Sequence, residues 1–461
     1  MPAPPSLSKR AGYAVVNRPL TSVFVFALLI RLINLALLRS NDAFFAEADA
    51  LGYWALGAAL AKPANLWPTL WSVTDRMPLY PLLLAGIYKI FGDVPRAVAL
   101  VQAVIDAGTC TLIAALGALV SPPVGLIAGI LAALSLTLIV FSTQVLTDTV
   151  FLFFFTATLL AGARFLLRPS VGSALLAGIA GGLALATRPA VAALLVAAVP
   201  LVFAIPLRNR RAVGPALAAA ALFALAAAAP IAPLIVRNAI AYRSFSLTTQ
   251  TAAHLAYWIV PLVKQRADGT PYQATVDRIE ARFQQRLAER DSNAEANPFR
   301  IAGLKRELAR EEMRELPLKA YALAWLEGMA INLGAPALIG DPRVRALARP
   351  SFYHTPGSSL WEKTRTYLFA DAGLYQLLLI IGLIAMLPFL ALEAIGFVML
   401  ARTLPWAAVF AAGVIAYFLV VNGPVASAKY RMPIEPVLIV LAAIPLAALV
   451  QRAKPARGAA I

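Results

Sequence analysis

Apolar runs of about 20 residues recur along the chain, and they limit its fold more than any other feature. A helix of this length spans the hydrocarbon core of a bilayer. Hydrophobic residues make up 61 % of the 461 residues, and charged residues make up only 14 %. Ordinary soluble domains do not have this composition. The sequence therefore predicts an all-α protein that crosses a membrane many times.

The runs predict ten membrane helices, which are separated by two long and more polar segments. The predicted helices cover residues 20–38, 95–119, 123–142, 148–165, 171–187, 190–206, 213–233, 373–398, 404–421 and 433–450. We expect a transmembrane module over residues 1–233, with a long first outside loop over 39–94. A helical extracytoplasmic or interfacial region then covers 234–372, and C-terminal transmembrane helices cover 373–461.

Lysine and arginine in the short loops predict the orientation, because cytoplasmic loops carry an excess of both. With a cytoplasmic N-terminus, the short cytoplasmic segments contain no Asp or Glu and hold Lys9, Arg10, Arg18, Arg164, Arg168, Arg208, Arg210, Arg211, Arg402, Arg452, Lys454 and Arg457. The first run is longer than the apolar part of a signal peptide, and we expect it to remain as an anchor. Richness in Ala and Arg suggests a bacterial inner membrane, with both termini cytoplasmic and the polar regions in the periplasm.

The composition argues against several other classes of protein. The net charge of +17 could suit nucleic acid, but the basic residues lie largely in short loops and no basic-aromatic module is present. We therefore expect no nucleic-acid partner. The single cysteine, Cys110, excludes a disulfide within the chain. The two histidines, His254 and His354, are far apart in sequence, so a histidine metal site is not supported.

Acidic residues follow the first predicted helix directly, in the stretch EADALGYWALGAAL that begins at Glu47. Asp49 and Tyr53 are four residues apart and would share one face of a helix. A continuous helix would also align Asp42, which lies seven residues before Asp49. Carboxylates at a membrane surface act as a general base, as metal ligands or as plain solvated charges. The residues alone leave these roles open.

Basic residues at the ends of several predicted helices fall on the same outer face. They are Arg76, Arg188, Arg237 with Asn238, and Arg431 with Lys429 and Tyr430. Guanidinium binds phosphate through charge-assisted hydrogen bonds. An arginine at the end of a membrane helix often has no ligand, however, and simply extends its charged group into the hydrated interface. Several arginines on the face that holds the acids predict a site for an anionic lipid. Asp148 begins the fourth helix there, either as part of this site or as a charge that suits the helix dipole.

Four further features concern structure rather than chemistry. Arg31 and Asp106 lie inside predicted spans, where an unpaired charge is costly, so we expect them to form an ion pair. The run over 77–91 is too short to span and predicts an interfacial helix. Residues 276–291 predict an amphipathic helix, on which Glu280, Arg282, Arg286 and Glu289 form a solvated face. The apolar run over 321–339 predicts an interfacial or re-entrant segment.

Taken in order, the outer-face motifs resemble those of the GT-C superfamily of integral-membrane glycosyltransferases. That superfamily includes protein O-mannosyltransferases and the aminoarabinose transferases that modify lipid A. The motifs are Asp49 with Tyr53, RMPLYPLLLAGIYKIFGD (76–93), VLTDTVF (145–151), GGLALATRP (181–189), APLIVRN (232–238) and KYRMPIEP (429–436). The resemblance covers about residues 45–240 and 429–450. The aminoarabinose transferases carry Lys where this chain has Arg76.

The resemblance implies an inverting transferase that uses a polyprenyl-phosphate-linked sugar on the extracytoplasmic face. The acceptor hydroxyl would belong to a glycan, a lipid or a protein. The general base matches Asp49, with Asp42 and Glu47 as alternatives, and the second acid matches Asp148. The implied phosphate contacts are Arg76, Arg188, Arg237, Lys429, Tyr430 and Arg431, with Tyr53 and Asn238 orienting the substrate. A divalent cation, Mg²⁺ or Mn²⁺, shared by Asp49 and Asp148 stays open.

Two other functions compete with this interpretation. One is a flippase or transporter for lipid-linked glycans, and the other is a non-catalytic partner that presents lipid to an enzyme. Transporters tend to show repeated halves and ionisable sites near the middle of the membrane. This sequence shows no internal repeat, and its candidate site charges gather at one face, which favours the transferase.

Overall fold

A computed structural model of the chain describes residues 7–208, 212–289, 297–348, 351–352, 355–357, 359–370 and 373–453. Every regular element in these ranges is helical, which confirms the all-α prediction. The helices are α1 (Leu7–Leu37), α2 (Ala48–Ala61), α3 (Pro63–Ser72), α4 (Leu79–Phe91), α5 (Pro95–Ala118), α6 (Pro122–Leu134), α7 (Leu136–Phe141), α8 (Asp148–Leu167), α9 (Val171–Thr187), α10 (Ala192–Arg208), α11 (Val213–Ala228), α12 (Ala232–Tyr242), α13 (Gln250–His254), α14 (Val260–Asp268), α15 (Tyr272–Ala288), α16 (Pro298–Arg314), α17 (Leu318–Gly334), α18 (Pro342–Arg345), α19 (Leu360–Phe369), α20 (Leu374–Thr403), α21 (Pro405–Asn422) and α22 (Glu435–Ala453). Short 3₁₀ segments join several of them, including Asn41–Phe45 and Ala428–Ile434.

Eight segments of the described chain are long and apolar enough to cross a membrane. They comprise α1, α5, α8, α10, α11 with α12, α20, α21 and α22. The two remaining predicted spans are the shorter apolar helices α6 and α9. The helical segment that starts at Val213 continues to Tyr242, beyond its predicted end at residue 233. The central helix α22 is mostly buried, whereas α20 is mostly exposed, as expected for a helix that faces lipid.

The third predicted helix, 123–142, is not continuous, because the chain breaks it at Ser135. The backbone there is extended, with φ −62° and ψ 116°. The Ser135 hydroxyl caps α7 by accepting a hydrogen bond from the Leu138 amide. It also donates to Oε1 of Glu435 at 3.0 Å. Serine bonds to nearby backbone in competition with the helix, and the distant Glu435 carboxylate holds the Ser135 hydroxyl, so the break has both a local and a tertiary contribution.

Arg31 and Asp106 form the predicted ion pair, with Nε and Oδ2 2.6 Å apart and both side chains buried. The remaining guanidinium nitrogens donate to the carbonyls of Ala132, at 3.1 Å, and Ala133. They also contact Sγ of Cys110 at 3.2 Å. The two carbonyls belong to the last turn of α6, where carbonyls lack the i+4 amide partner of a helix interior. The pair therefore caps the helix that Ser135 interrupts.

The prediction that a continuous helix aligns Asp42 with Asp49 is wrong. Asp42 lies in a separate 3₁₀ turn, which Ser40 caps by accepting from the Asp42 amide. The backbone of Glu47 is extended, with φ −99° and ψ 139°, and α2 begins only at the next residue. The short run after residue 77 does form the expected short helix, α4, which ends at Gly92 with a positive φ of 73°.

The second outside region contains the predicted amphipathic helix as α15, but its charged face is only partly solvated. Arg282 and Arg286 both pair with Glu311 of α16, at 2.7 and 2.8 Å. An acid of the neighbouring helix therefore pairs with arginines that the sequence alone assigned to a solvated face. Further along, α17 is not among the helices that are long and apolar enough to span. It packs against α14 and α21, and its Trp325 indole donates to the carbonyl of Val420 at 3.1 Å.

Candidate functional site

The first part of the site is an ion pair within the first outside loop. Arg76, which lies just before α4, donates from Nη2 to Oδ1 of Asp49 at 3.1 Å. Its guanidinium carbon lies 4.6 Å from the ring centroid of Tyr53, one turn further along α2. The structure confirms that Asp49 and Tyr53 share a helix face, and it shows Arg76 in contact with both. The Asp49 side chain is 46 % exposed, so an acceptor can reach it.

The surroundings of Tyr53 and Arg76 shift the pKa values of both side chains. Burial raises the pKa of Tyr53, which keeps its phenol neutral at physiological pH. Burial by itself lowers the pKa of Arg76, but the nearby Asp49 carboxylate contributes to a net upward shift. The Nη1 atom of Arg76 is buried and has no hydrogen-bond partner among the described residues. A charged donor without a partner among the described residues therefore lies beside the open carboxylate.

The second part pairs Asp148 with Arg188, which lie 40 residues apart in the sequence. Asp148 is the first residue of α8 and is buried, whereas Arg188 directly follows α9. Nη1 of Arg188 donates to Oδ1 of Asp148, and the guanidinium lies 5.7 Å from the ring centroid of Phe151. Asp148 thus occupies a helix N-terminus, as the helix-dipole interpretation expects, and is also an ion-pair partner, while its role in the site stays a prediction.

The third part joins three regions of the chain at Glu47, and the sequence did not predict it as a whole. Nη1 of Arg345, the last residue of α18, donates to Oε1 of Glu47. Nζ of Lys429 lies 3.5 Å from Oε2 of the same carboxylate. Lys429 also lies 5.8 Å from the ring centroid of Tyr430. One carboxylate therefore holds two cations, from α18 and from the 3₁₀ segment before α22.

The parts are close enough for their charges to interact. Lys429 interacts electrostatically with Asp148 and Arg188 as well as with Glu47. Arg188 in turn interacts with Tyr53 and with Tyr430. We call this set the charged cluster, and it consists of Glu47, Asp49, Tyr53, Arg76, Asp148, Arg188, Arg345, Lys429 and Tyr430.

Arg237, a predicted phosphate contact, binds protein groups instead. Its Nη1 donates to the carbonyls of Leu70 and Val73, at 2.6 Å each. Its Nε donates to the side chain of Asn238 at 2.9 Å, and that amide donates to the carbonyl of Ser246 at 2.7 Å. This pair ties the end of α3 to the segment after α12.

Arg431, another predicted phosphate contact, is buried between two acids. Its Nε donates to Glu435 at 2.8 Å, and its Nη2 donates to Glu393 of α20. Asp42 also lies outside the cluster, because it is exposed and, among the described residues, its side chain accepts from the Ser40 hydroxyl alone, at 3.3 Å. The phosphate roles of Arg237 and Arg431 and a catalytic role of Asp42 remain predictions.

A divalent ion in the cluster would have Asp49 and Asp148 as its protein ligands. Mg²⁺ is often held by one or two carboxylates together with a substrate phosphate, so the donor atoms suit it. Arg76 and Arg188 already engage these carboxylates, and an ion would compete with both. No group of three or more His, Cys, Asp or Glu side chains gathers as a metal site in the part of the chain that the structure describes.

Sequence reasoning missed Arg345. The only signal was the run of arginines in RVRALAR, which starts at residue 343. That run lies in the second outside region, where the resemblance to known transferases extended to the layout alone. No motif therefore distinguished Arg345 from its neighbour Arg343, which pairs with Asp341 at 2.6 Å.

Comparison with known proteins agrees with the geometry. Residues 75–233 match the family model described as dolichyl-phosphate-mannose-protein mannosyltransferase. The matched segment is about a third of the chain and contains Arg76, Asp148 and Arg188. No curated protein matches the chain. The family match over residues 75–233 and the all-helical fold with its candidate spans support the resemblance of this chain to the GT-C superfamily of integral-membrane glycosyltransferases.

Proposed function

We propose that the chain transfers a sugar from a polyprenyl-phosphate-linked donor to an acceptor hydroxyl on the extracytoplasmic face of a bacterial inner membrane. The observation that carries this proposal is the Asp49–Arg76 pair, in which an accessible carboxylate lies next to a cation with an unfilled donor. The family match supports the donor class, because that family's name describes a lipid-phosphate sugar donor.

The reaction needs one base and a stabilised leaving group. Asp49 accepts the proton of the acceptor hydroxyl as its oxygen bonds to the anomeric carbon of the sugar. The bond between that carbon and the phosphate oxygen breaks, and its electron pair stays on the departing polyprenyl phosphate. Attack from the side opposite the phosphate inverts the anomeric centre. Asp49 then carries the proton until solvent removes it.

Fixed positive charge stabilises the leaving phosphate, because cations held in place need little reorganisation as negative charge develops. Of the basic residues predicted to contact the phosphate, Arg76, Arg188 and Lys429 belong to the charged cluster. Tyr53 lies against Arg76 and keeps the guanidinium in place. A divalent ion held by Asp49 and Asp148 would add charge at the same position.

A transfer assay tests this function. Purified protein in lipid is given membrane extract that contains native polyprenyl-phosphate sugars, and products are followed by mass spectrometry. We expect wild-type protein to release polyprenyl phosphate and to form a glycosylated product that identifies the acceptor. Bound donor without release would instead favour a flippase or a lipid-presenting partner.

A further inference from the structure

The neighbours of each cation determine where the cluster can accept an additional anion. Arg431 is engaged by two carboxylates, and Arg237 donates to backbone carbonyls. Arg76 and Arg188 are each paired with an acid of the site. Each of these four arginines already has a carboxylate or fixed carbonyls as partners. Binding a phosphate to Arg188, Arg237 or Arg431 means exchanging or sharing a partner, whereas Arg76 keeps one buried donor, Nη1, without a partner among the described residues.

The excess positive charge of the cluster lies at Glu47. There, two cations share one carboxylate, because Arg345 contacts Oε1 and Lys429 lies 3.5 Å from Oε2. All three side chains are partly accessible, at 16 to 23 % exposure, so a ligand can reach them. The local sum of one negative and two positive charges leaves one positive charge for an anion. A sugar-phosphate diester carries one negative charge and would neutralise it.

We propose that Arg345 binds the phosphate of the lipid-linked donor together with Lys429, and that Glu47 is the counterion of both cations rather than a proton acceptor. This inference rests on the proposed function. In the empty site, Glu47 holds the two cations near each other. The phosphate then binds between them with charge-assisted hydrogen bonds, and the guanidinium of Arg345 contributes a bidentate donor that lysine lacks.

The roles of Arg345 and Glu47 predict changes of opposite sign in lipid binding. Removing the charge of Arg345 removes attraction, so Arg345→Gln should weaken phosphate binding about tenfold. Removing the charge of Glu47 removes the group that competes with the phosphate, so Glu47→Gln should strengthen binding severalfold. A purely structural role predicts weaker binding for both variants, since each breaks the same ion pair.

The experiment titrates polyprenyl phosphate into wild-type protein and its variants in phosphatidylcholine nanodiscs and measures Kd. Arg345→Lys is the conservative variant and should recover part of the lost affinity. Arg343→Gln is the matched control, because Arg343 lies on the same short helix but pairs with Asp341 and hydrogen-bonds to Asn34. Its Kd should stay within about twofold of wild type. The melting temperature of each variant shows whether it is folded.

Three results would overturn the proposal. If folded Arg345→Gln binds polyprenyl phosphate as wild type does, Arg345 is not a ligand of the phosphate. If Glu47→Gln binds more weakly, Glu47 is structural. If phosphatidylglycerol displaces polyprenyl phosphate at equal concentration, the cluster binds anionic lipid headgroups in general. In contrast, failure of wild-type protein to bind any polyprenyl phosphate would remove the proposed function itself.

Discussion

Glu47 and Asp49 are only two residues apart, yet their surroundings give them different chemistry. Glu47 has an extended backbone just before α2 and holds two cations from distant segments. Asp49 lies in the first turn of α2, pairs with Arg76 of the same loop and is nearly half exposed. A general base needs access to its substrate, whereas a counterion needs partners. At the scale of the residue, these contacts favour Asp49 as the base over its neighbour.

The buried pair of Arg31 and Asp106 gives a first prediction. Arg31→Met and Asp106→Leu should each lower the free energy of unfolding by about 3–5 kcal/mol, because each leaves a charge unpaired in the membrane region. The double variant should lose less than the sum of the two, since it leaves neither charge behind. Unfolding in detergent measures all three variants. Additive losses would show that the two side chains do not depend on each other.

Arg237 gives a second prediction, which separates a structural role from a phosphate contact. Arg237→Gln removes the hydrogen bonds to Leu70 and Val73 and should loosen the end of α3. Amide hydrogen exchange over residues 68–76 should therefore become faster. The Kd for polyprenyl phosphate should rise less than in Arg345→Gln. Unchanged exchange with a tenfold weaker Kd would make Arg237 a direct phosphate ligand.

At the scale of the element, the crossing of α20 and α22 depends on Gly396. A Cβ atom there would lie 1.8 Å from the carbonyl oxygen of Leu441. Gly396→Ala should therefore push the helices apart and lower the melting temperature. Gly413→Ala is the control, because a Cβ at that position meets nothing within 4 Å and alanine favours helix by about 1 kcal/mol. Equal shifts for both variants would contradict the close crossing.

The helical elements were largely predictable, because apolar runs long enough to span a bilayer have few alternatives to the helix. The break at Ser135 was not predictable. It depends on hydrogen bonds with Glu435 and Arg31, which are far from Ser135 in sequence. In the water-free interior of a membrane protein, water cannot make these hydrogen bonds instead. The face of α15 was misjudged for the same reason, since the acids that pair with its arginines lie on α16.

The candidate site was predictable where its residues lie at helix ends. A helix end in a membrane protein places its side chains at the surface, and this located Arg76, Asp148, Arg188 and Lys429. The sequence could not separate these from Arg431, which occupies a similar position but is buried between two glutamates. It also could not show Arg345 opposite Glu47, because no periodicity or motif relates two residues so far apart.

At the scale of the whole molecule, the proposed function requires the first outside loop and the loop before α9 to lie on opposite sides of the membrane. Asn65→Cys introduces a thiol at an exposed position of the first outside loop, and Gly172→Cys introduces one at the exposed start of α9, next to the second loop. The native Cys110 is buried and should not react. A membrane-impermeant maleimide should label Asn65→Cys in intact cells, and Gly172→Cys only after permeabilisation. The reverse pattern would place the charged cluster on the cytoplasmic side.

The most direct test of the central claim compares Asp49→Asn with Asp42→Asn, measuring sugar transfer and donor binding for both. Asp49→Asn should lose about 10²–10⁴-fold in turnover, because the general base is gone, while it still binds the donor. Asp42→Asn should turn over as wild type does, because Asp42 lies outside the cluster. Normal turnover by Asp49→Asn with donor bound, or a comparable loss in folded Asp42→Asn, would contradict the assignment of the active site to this cluster.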